Sequence, residues 1–134
     1  MKIISNKYDE LITNYEVLNL LKHKRKIKGQ ALLNEFVSSV VGYLETTPAA
    51  KQTDEIVKET KELCKQNKLT KAETLQIINL APTTEVEIHL IVEEAVERLD
   101  PVAFTDDVRF TMEKDLNLQT TTTTTTPPTE NGNV

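Results

Sequence analysis

Glycine, cysteine and aromatic residues are all scarce in this chain, and each shortage closes a class of function. Three glycines in 134 residues cannot supply the clustered glycines of phosphate-cradling or dinucleotide-binding loops. One cysteine, Cys64, leaves no intrachain disulfide and no cysteine-based zinc finger, and fits a reducing compartment. With three Phe, three Tyr and no Trp, a modest core is possible but not a deep aromatic-lined pocket. No apolar run approaches the ~20 residues that cross a bilayer. The opening "MKIISNKYDELI" lacks the apolar stretch of a signal peptide. The expectation is a soluble intracellular protein of one domain plus a tail.

The charge that is present is unevenly spread. Residues 1–71 carry 13 Lys/Arg against 9 Asp/Glu, whereas residues 72–134 carry 3 against 12. Nucleic-acid binders usually present a basic face, so the acidic second half disfavours duplex binding. From Gln119 onward, "QTTTTTTTPPTENGNV" has almost nothing apolar to offset its conformational entropy and reads as a disordered tail, residues 119–134.

Everything before the tail reads as helix. Thr13 and Glu16 have the Thr-x-x-Glu form of a capping box, in which hydroxyl and carboxylate each satisfy an orphan backbone N–H. The helix they open carries Tyr15, Val17, Leu18, Leu20 and Leu21 around most of its circumference, so it needs cover on more than one side. It is either a central core helix or one shared with another chain; both readings stand. "HKRKIKG", His23 to Gly29, reads as a solvated basic loop, with nuclear import or a phosphate contact as functional alternatives. A second helix, about Gln30 to Glu45, places Leu33, Phe36, Val37, Val40, Tyr43 and Leu44 on one face, the pattern of a one-sided bundle helix. Pro48 breaks the chain. A helix from about Asp54 aligns Ile56, Val57, Thr60, Leu63 and Cys64, with Cys64 expected as a small buried apolar residue.

Residues 69–99, "LTKAETLQIINLAPTTEVEIHLIVEEAVERL", hold two more capping boxes, Thr70/Glu73 and Thr84/Glu87. Pro82 between them stops the first helix near Leu80, and a linker this short forces the pair to double back. On the second helix Ile88, Ile91, Val92, Ala95, Val96 and Leu99 share a core arc, opposite Glu87, Glu93, Glu94, Glu97 and Arg98. Val86 and Leu90 sit among the carboxylates, an i,i+4 apolar pair that marks a contact surface toward Ile3, Ile4 and Tyr8 or toward a partner. Pro101 then opens a last helix to about Leu116.

No catalytic constellation is visible. His89 has Glu93 four residues on, but no second histidine or cysteine lies near, so a surface pair outweighs a metal site. The carboxylates of residues 85–97 lie on a helix rather than in the loop geometry calcium requires. Nucleophile-elbow, zincin and Walker patterns are missing. The expectation is a non-catalytic chain with no cofactor and no metal.

"NYEVLNLL" (Asn14 to Leu21), the "TTP" before a helix, and the 69–99 stretch together resemble the family of the ninth specific subunit of RNA polymerase III, also described as the calcitonin gene-related peptide receptor component protein family. The resemblance covers roughly residues 11–100. Its most specific parts are "LTKAE-LQ", Asn79, Pro82, and "VEI" followed by "VEE" and "ERL", which set it apart from the stalk subunits of RNA polymerase II and archaea. The polythreonine tail, without a terminal acidic cluster, and the short basic loop depart from the family. The resemblance implies an all-α bundle like the C-terminal domain shared by helicases and RNase D (HRDC-like). It implies a nuclear heterodimer with the polymerase's eighth specific subunit, attached to the polymerase core and helping to recruit the initiation factor TFIIIB. Nucleic-acid contact is then at most indirect, and no membrane is involved. The expected division is residues 1–28 as the N-terminal partner-binding segment, 29–118 as the bundle, and 119–134 as the tail. Partner-binding residues are expected at Tyr15, Val17, Leu20, Leu21, Val86 and Leu90. Two other classes remain open: a helical domain binding single-stranded nucleic acid, and a membrane-associated receptor accessory adaptor.

Overall fold

Three Thr-x-x-Glu sequences start three helices by the same reciprocal device. At the first, the Glu16 N–H donates to Thr13 Oγ1 (3.2 Å) and the Thr13 N–H donates to Glu16 Oε2 (2.6 Å). Thr70/Glu73 and Thr84/Glu87 close in the same way. The computed structural model describes residues 10–120, with side chains through residue 114, and all regular structure among them is helical. In chain order α1 spans Asn14–His23 and α2 spans Ala31–Leu44, followed by a single 3₁₀ turn, Pro48–Lys51. Then come α3 (Asp54–Gln66), α4 (Lys71–Leu80), α5 (Glu85–Ile91), α6 (Ala95–Arg98) and α7 (Pro101–Thr120). The threonine run beyond Thr120 and the contact expected of Ile3, Ile4 and Tyr8 lie outside the described residues.

Helical periodicity builds the main core. On α3 the buried stripe is Ile56, Val57, Thr60 and Cys64, spaced three and four apart. Cys64 packs with Ile77 of α4, Ile88 of α5, Val92, Ala95, and Phe104 and Val108 of α7. Each Ile, Val or Phe of this cluster contributes about 1.5–3 kcal/mol when fully removed from water. Thr60 is polar yet buried without penalty, because its hydroxyl donates to the Ile56 carbonyl one turn back (2.8 Å). A second cluster forms where α1 meets α2 and the 3₁₀ turn: Leu18, Leu44 and Ala49, flanked by Tyr15, Val17, Val40 and Val41.

Polar ties join the two clusters at the orphan ends of helices. The Asn14 N–H at the start of α1 donates to Asn79 Oδ1 (2.8 Å), and Gln52 Nε2 donates to the Ile78 carbonyl in the last turn of α4 (2.7 Å). Both satisfy backbone groups that helix geometry leaves without an intrahelical partner. Pro82, fully buried, ends α4 after Ala81, which takes a left-handed conformation (φ 44°) while its N–H donates to the Ile77 carbonyl. The sharp return between α4 and α5 follows. At α7, Asp100 Oδ1 accepts the Val102 and Ala103 N–H groups (3.1 and 3.2 Å) and Pro101 occupies the first turn.

Three expectations are corrected. The helix expected through Leu99 is interrupted: Val92 is extended (φ −97°, ψ 120°) and Glu94 is left-handed (φ 51°), separating α5 from α6. The cause lies elsewhere in the chain, because Glu73 accepts the Glu93 N–H (3.3 Å) and hydrogen bonds from Nη1 and Nη2 of Arg98. The break changes the register, so Val96 leaves the core arc and is 73% exposed. Helix α2 is not packed along one whole face. Its C-terminal half, through Val40, Val41 and Leu44, meets α1 and the 3₁₀ turn, while Leu32, Leu33, Phe36 and Tyr43 remain exposed. Finally, α7 continues to Thr120 rather than stopping near Leu116.

Candidate functional site

The chemically versatile side chains do not converge. His23, in the last turn of α1, places Nδ1 2.7 Å from the Asn19 carbonyl. His89 pairs with Glu85, one turn before it (3.4 Å), and not with Glu93, which the break after α5 carries away. Cys64 is fully buried; burial pushes its thiol up to about 11, with a hydrogen bond from Thr74 opposing the rise, so the thiolate needed for nucleophilic chemistry is not present at neutral pH. Among the described residues no three His, Cys, Asp or Glu side chains cluster closely enough to hold a metal ion.

The one strongly perturbed carboxylate among the described residues has a structural task. Glu73 accepts Arg98 Nη1 (2.6 Å) and Nη2 (3.0 Å), the Thr70 N–H (2.8 Å) and the Glu93 N–H (3.3 Å). The Arg98 guanidinium, with help from these N–H groups and against the cost of burial, holds its carboxyl down at about 2. Arg98 also donates to the Lys68 and Glu93 carbonyls (3.2 and 3.0 Å). One fork thus fixes the α3–α4 turn, the start of α4 and the break before α6. At Glu16 burial alone would raise the carboxyl, but the Thr13 N–H and Lys61 outweigh it and lower it.

The surface carries the more informative features. Of the residues expected to bind a partner, Tyr15 and Val17 are half-buried against the Leu18–Leu44–Ala49 cluster. Burial, and then the Asp54 carboxylate, raise the Tyr15 hydroxyl pKa. Leu21 is half-buried in a hollow between α1, the basic loop and α2. Leu20 points outward, 66% exposed. Val86 and Leu90 are 68% and 81% exposed on α5. The structure therefore separates this set into an inner group on α1, one outer leucine, and an outward pair on α5.

Sequence reasoning missed a larger display. Leu32, Phe36, Val40 and Tyr43 recur at helical spacing along α2, and Leu32, Phe36 and Tyr43 are largely exposed, as is Phe110 on α7. An amphipathic stripe gives the same signal whether its cover comes from its own chain or from another, which is why α2 read as a one-sided bundle helix. Contiguous exposed apolar side chains of this size mark contact surfaces. Beside them the basic loop is pinned by Asn34, whose side chain accepts the Ile27 N–H (3.3 Å) and donates to the Ile27 carbonyl (2.9 Å). Gly29 supplies the left-handed turn (φ 81°) that leads into α2.

These features define an all-helical chain that keeps its polar chemistry for internal joints and shows apolar side chains outward on α1, α2 and α5. The chain belongs to the RNA polymerase Rpb4 family, whose family model matches residues 11–106. It is 54% identical over 106 residues, 75% of this chain and 82% of the relative, to the protein named DNA-directed RNA polymerase III subunit rpc9 of Dictyostelium discoideum.

Proposed function

We propose that the chain is a non-catalytic stalk subunit of DNA-directed RNA polymerase III. In this reading it pairs with the eighth specific subunit, attaches through it to the polymerase core, and helps recruit TFIIIB in the nucleus for transcription of small RNAs such as tRNA and 5S rRNA. The observation that carries the reading is the 54% identity over 106 residues to a protein named as a subunit of that polymerase. The surface supports it. Leu20 on α1 and Leu32, Phe36 and Tyr43 on α2 leave apolar area in water that an interface core would cover, and Val86 and Leu90 add a second place for contact. The acidic second half weighs against direct nucleic-acid contact. No helix among the described residues is long and apolar enough to cross a membrane, which gives the receptor-adaptor alternative no anchor there. The division into a partner-binding segment (1–28), an HRDC-like bundle (29–118) and a tail belongs to the same proposal. Affinity purification of the tagged full chain from cells tests it: the RNA polymerase III subunits should be recovered together. Recovery without them, or with membrane proteins in their place, sinks the reading.

A further inference from the structure

A groove of about 760 Å³ lies between the C-terminal half of α3, the start of α4 and the segment entering α1. Its floor is apolar, made by Leu69, Leu75 and Ile78, and its rim carries Lys65, Lys68 and Lys71. All three lysines are exposed, and none of their ammonium groups forms an ion pair among the described residues. By contrast, the neighbouring Lys61 is held by Glu16 (2.9 Å). Only one carboxylate among the described residues, Glu10, lines the groove.

We propose that this groove docks an acidic amphipathic peptide segment of another protein, its apolar side chains on the leucine–isoleucine floor and its carboxylates against Lys65, Lys68 and Lys71. Two features select that occupant. Three exposed ammonium groups on one rim, without an ion pair among the described residues, attract negative charge and steer its approach. An apolar floor rewards inserted side chains, as in the recognition of amphipathic helices by grooves. Single-stranded nucleic acid fits less well, because sequence-tolerant strand binding relies on aromatic stacking platforms and no aromatic residue among the described residues lines this groove. The chain's own residues 1–9 fit less well too, since Lys2 and Lys7 outnumber Asp9. The three lysines and the apolar floor lie on α3, α4 and the turn between them, apart from the exposed apolar side chains of α2 and α5, although Glu10, Leu11 and Thr13 at the groove's edge belong to the proposed partner-binding segment.

The test is fluorescence anisotropy with the full chain and a labelled peptide of about twelve residues built from glutamate and leucine. Its controls are the same peptide with lysine for glutamate and a uridine oligonucleotide of similar length. The acidic peptide should bind and weaken with added salt, and the basic one should not. Lys65→Glu with Lys71→Glu should reduce its affinity at least tenfold, and Leu75→Ser should reduce it further. The helical circular-dichroism signal should hold, since Lys71 opens α4, where a carboxylate suits the helix dipole. The proposal is overturned if both peptides bind alike or if the charge-reversed chain binds undiminished. It is equally overturned if only the oligonucleotide responds to the lysine changes, which would make the groove a nucleic-acid site. Binding seen solely after Ile3→Ser and Ile4→Ser in the full chain would assign the groove to the protein's own N-terminal residues, and would overturn it as well.

Discussion

Replacing Glu73 by glutamine is the sharpest test of how this fold is held. The carboxylate accepts four hydrogen bonds, two from Arg98 and one each from the Thr70 and Glu93 N–H groups. Glutamine keeps the shape but offers one carbonyl oxygen, and its amide would face donors with donors. At least one backbone N–H loses its partner, and Arg98, 28% exposed at its side chain, loses its counter-charge. The titration behaviour gives a second route to the magnitude. The Glu73 carboxyl falls from an ordinary 4.5 to about 2, which corresponds to roughly 3 kcal/mol; solvent at the Arg98 edge trims this to about 2 kcal/mol. For a domain of this size that is a fall of roughly 10 °C in Tm. Because the folded-state pKa is depressed, the contribution is fully present above about pH 5. It disappears as pH falls through the folded value near 2. Thermal melts followed by circular dichroism should therefore show Glu73→Gln well below the native chain at pH 7 and the two converging near pH 2. A change under about 3 °C at pH 7, or a deficit that persists undiminished at pH 2, refutes the reasoning.

Two further outcomes are expected. Ala81→Gly should raise stability by about 0.5–1 kcal/mol, since Ala81 ends α4 at φ 44°, where a Cβ is disfavoured; an unchanged or lower Tm would mean that the unfolded-state entropy of glycine dominates. Changing Val86 and Leu90 together to serine should leave the free chain's circular dichroism intact, because both are exposed. It should cost about 1–3 kcal/mol in affinity for the proposed partner, the eighth specific subunit, if they sit centrally in that proposed interface; equal affinity by calorimetry at matched salt would make them incidental.

The helix starts were legible because their causes are local. A capping box closes within three residues, so Thr13/Glu16, Thr70/Glu73 and Thr84/Glu87 determine their helix starts wherever the rest of the chain goes. The same holds for Pro82 as a stop, for Asp100 and Pro101 as a start, and for the α3 stripe that buries Cys64. Family membership was legible too, from the resemblance carried by the patterned stretch that holds Asn79 and Pro82; the structure adds that Asn79 caps α1 across 65 residues of sequence.

What only the tertiary structure decided involves partners distant in sequence. The expected single helix through Leu99 splits at Val92–Glu94 because Glu73, twenty residues earlier, captures the Glu93 N–H. No window around Glu93 contains that competitor. Its consequences spread outward: Val96 turns to solvent, His89 pairs back to Glu85, and Arg98 becomes a joint rather than a surface charge. Periodicity on α2 correctly marked an apolar face, but it could not say how much of that face its own chain would cover. Sequence determines which side of a helix is apolar; packing decides what meets it, and on α2 Val40, Val41 and Leu44 pack into a core cluster while Leu32, Phe36 and Tyr43 stay exposed.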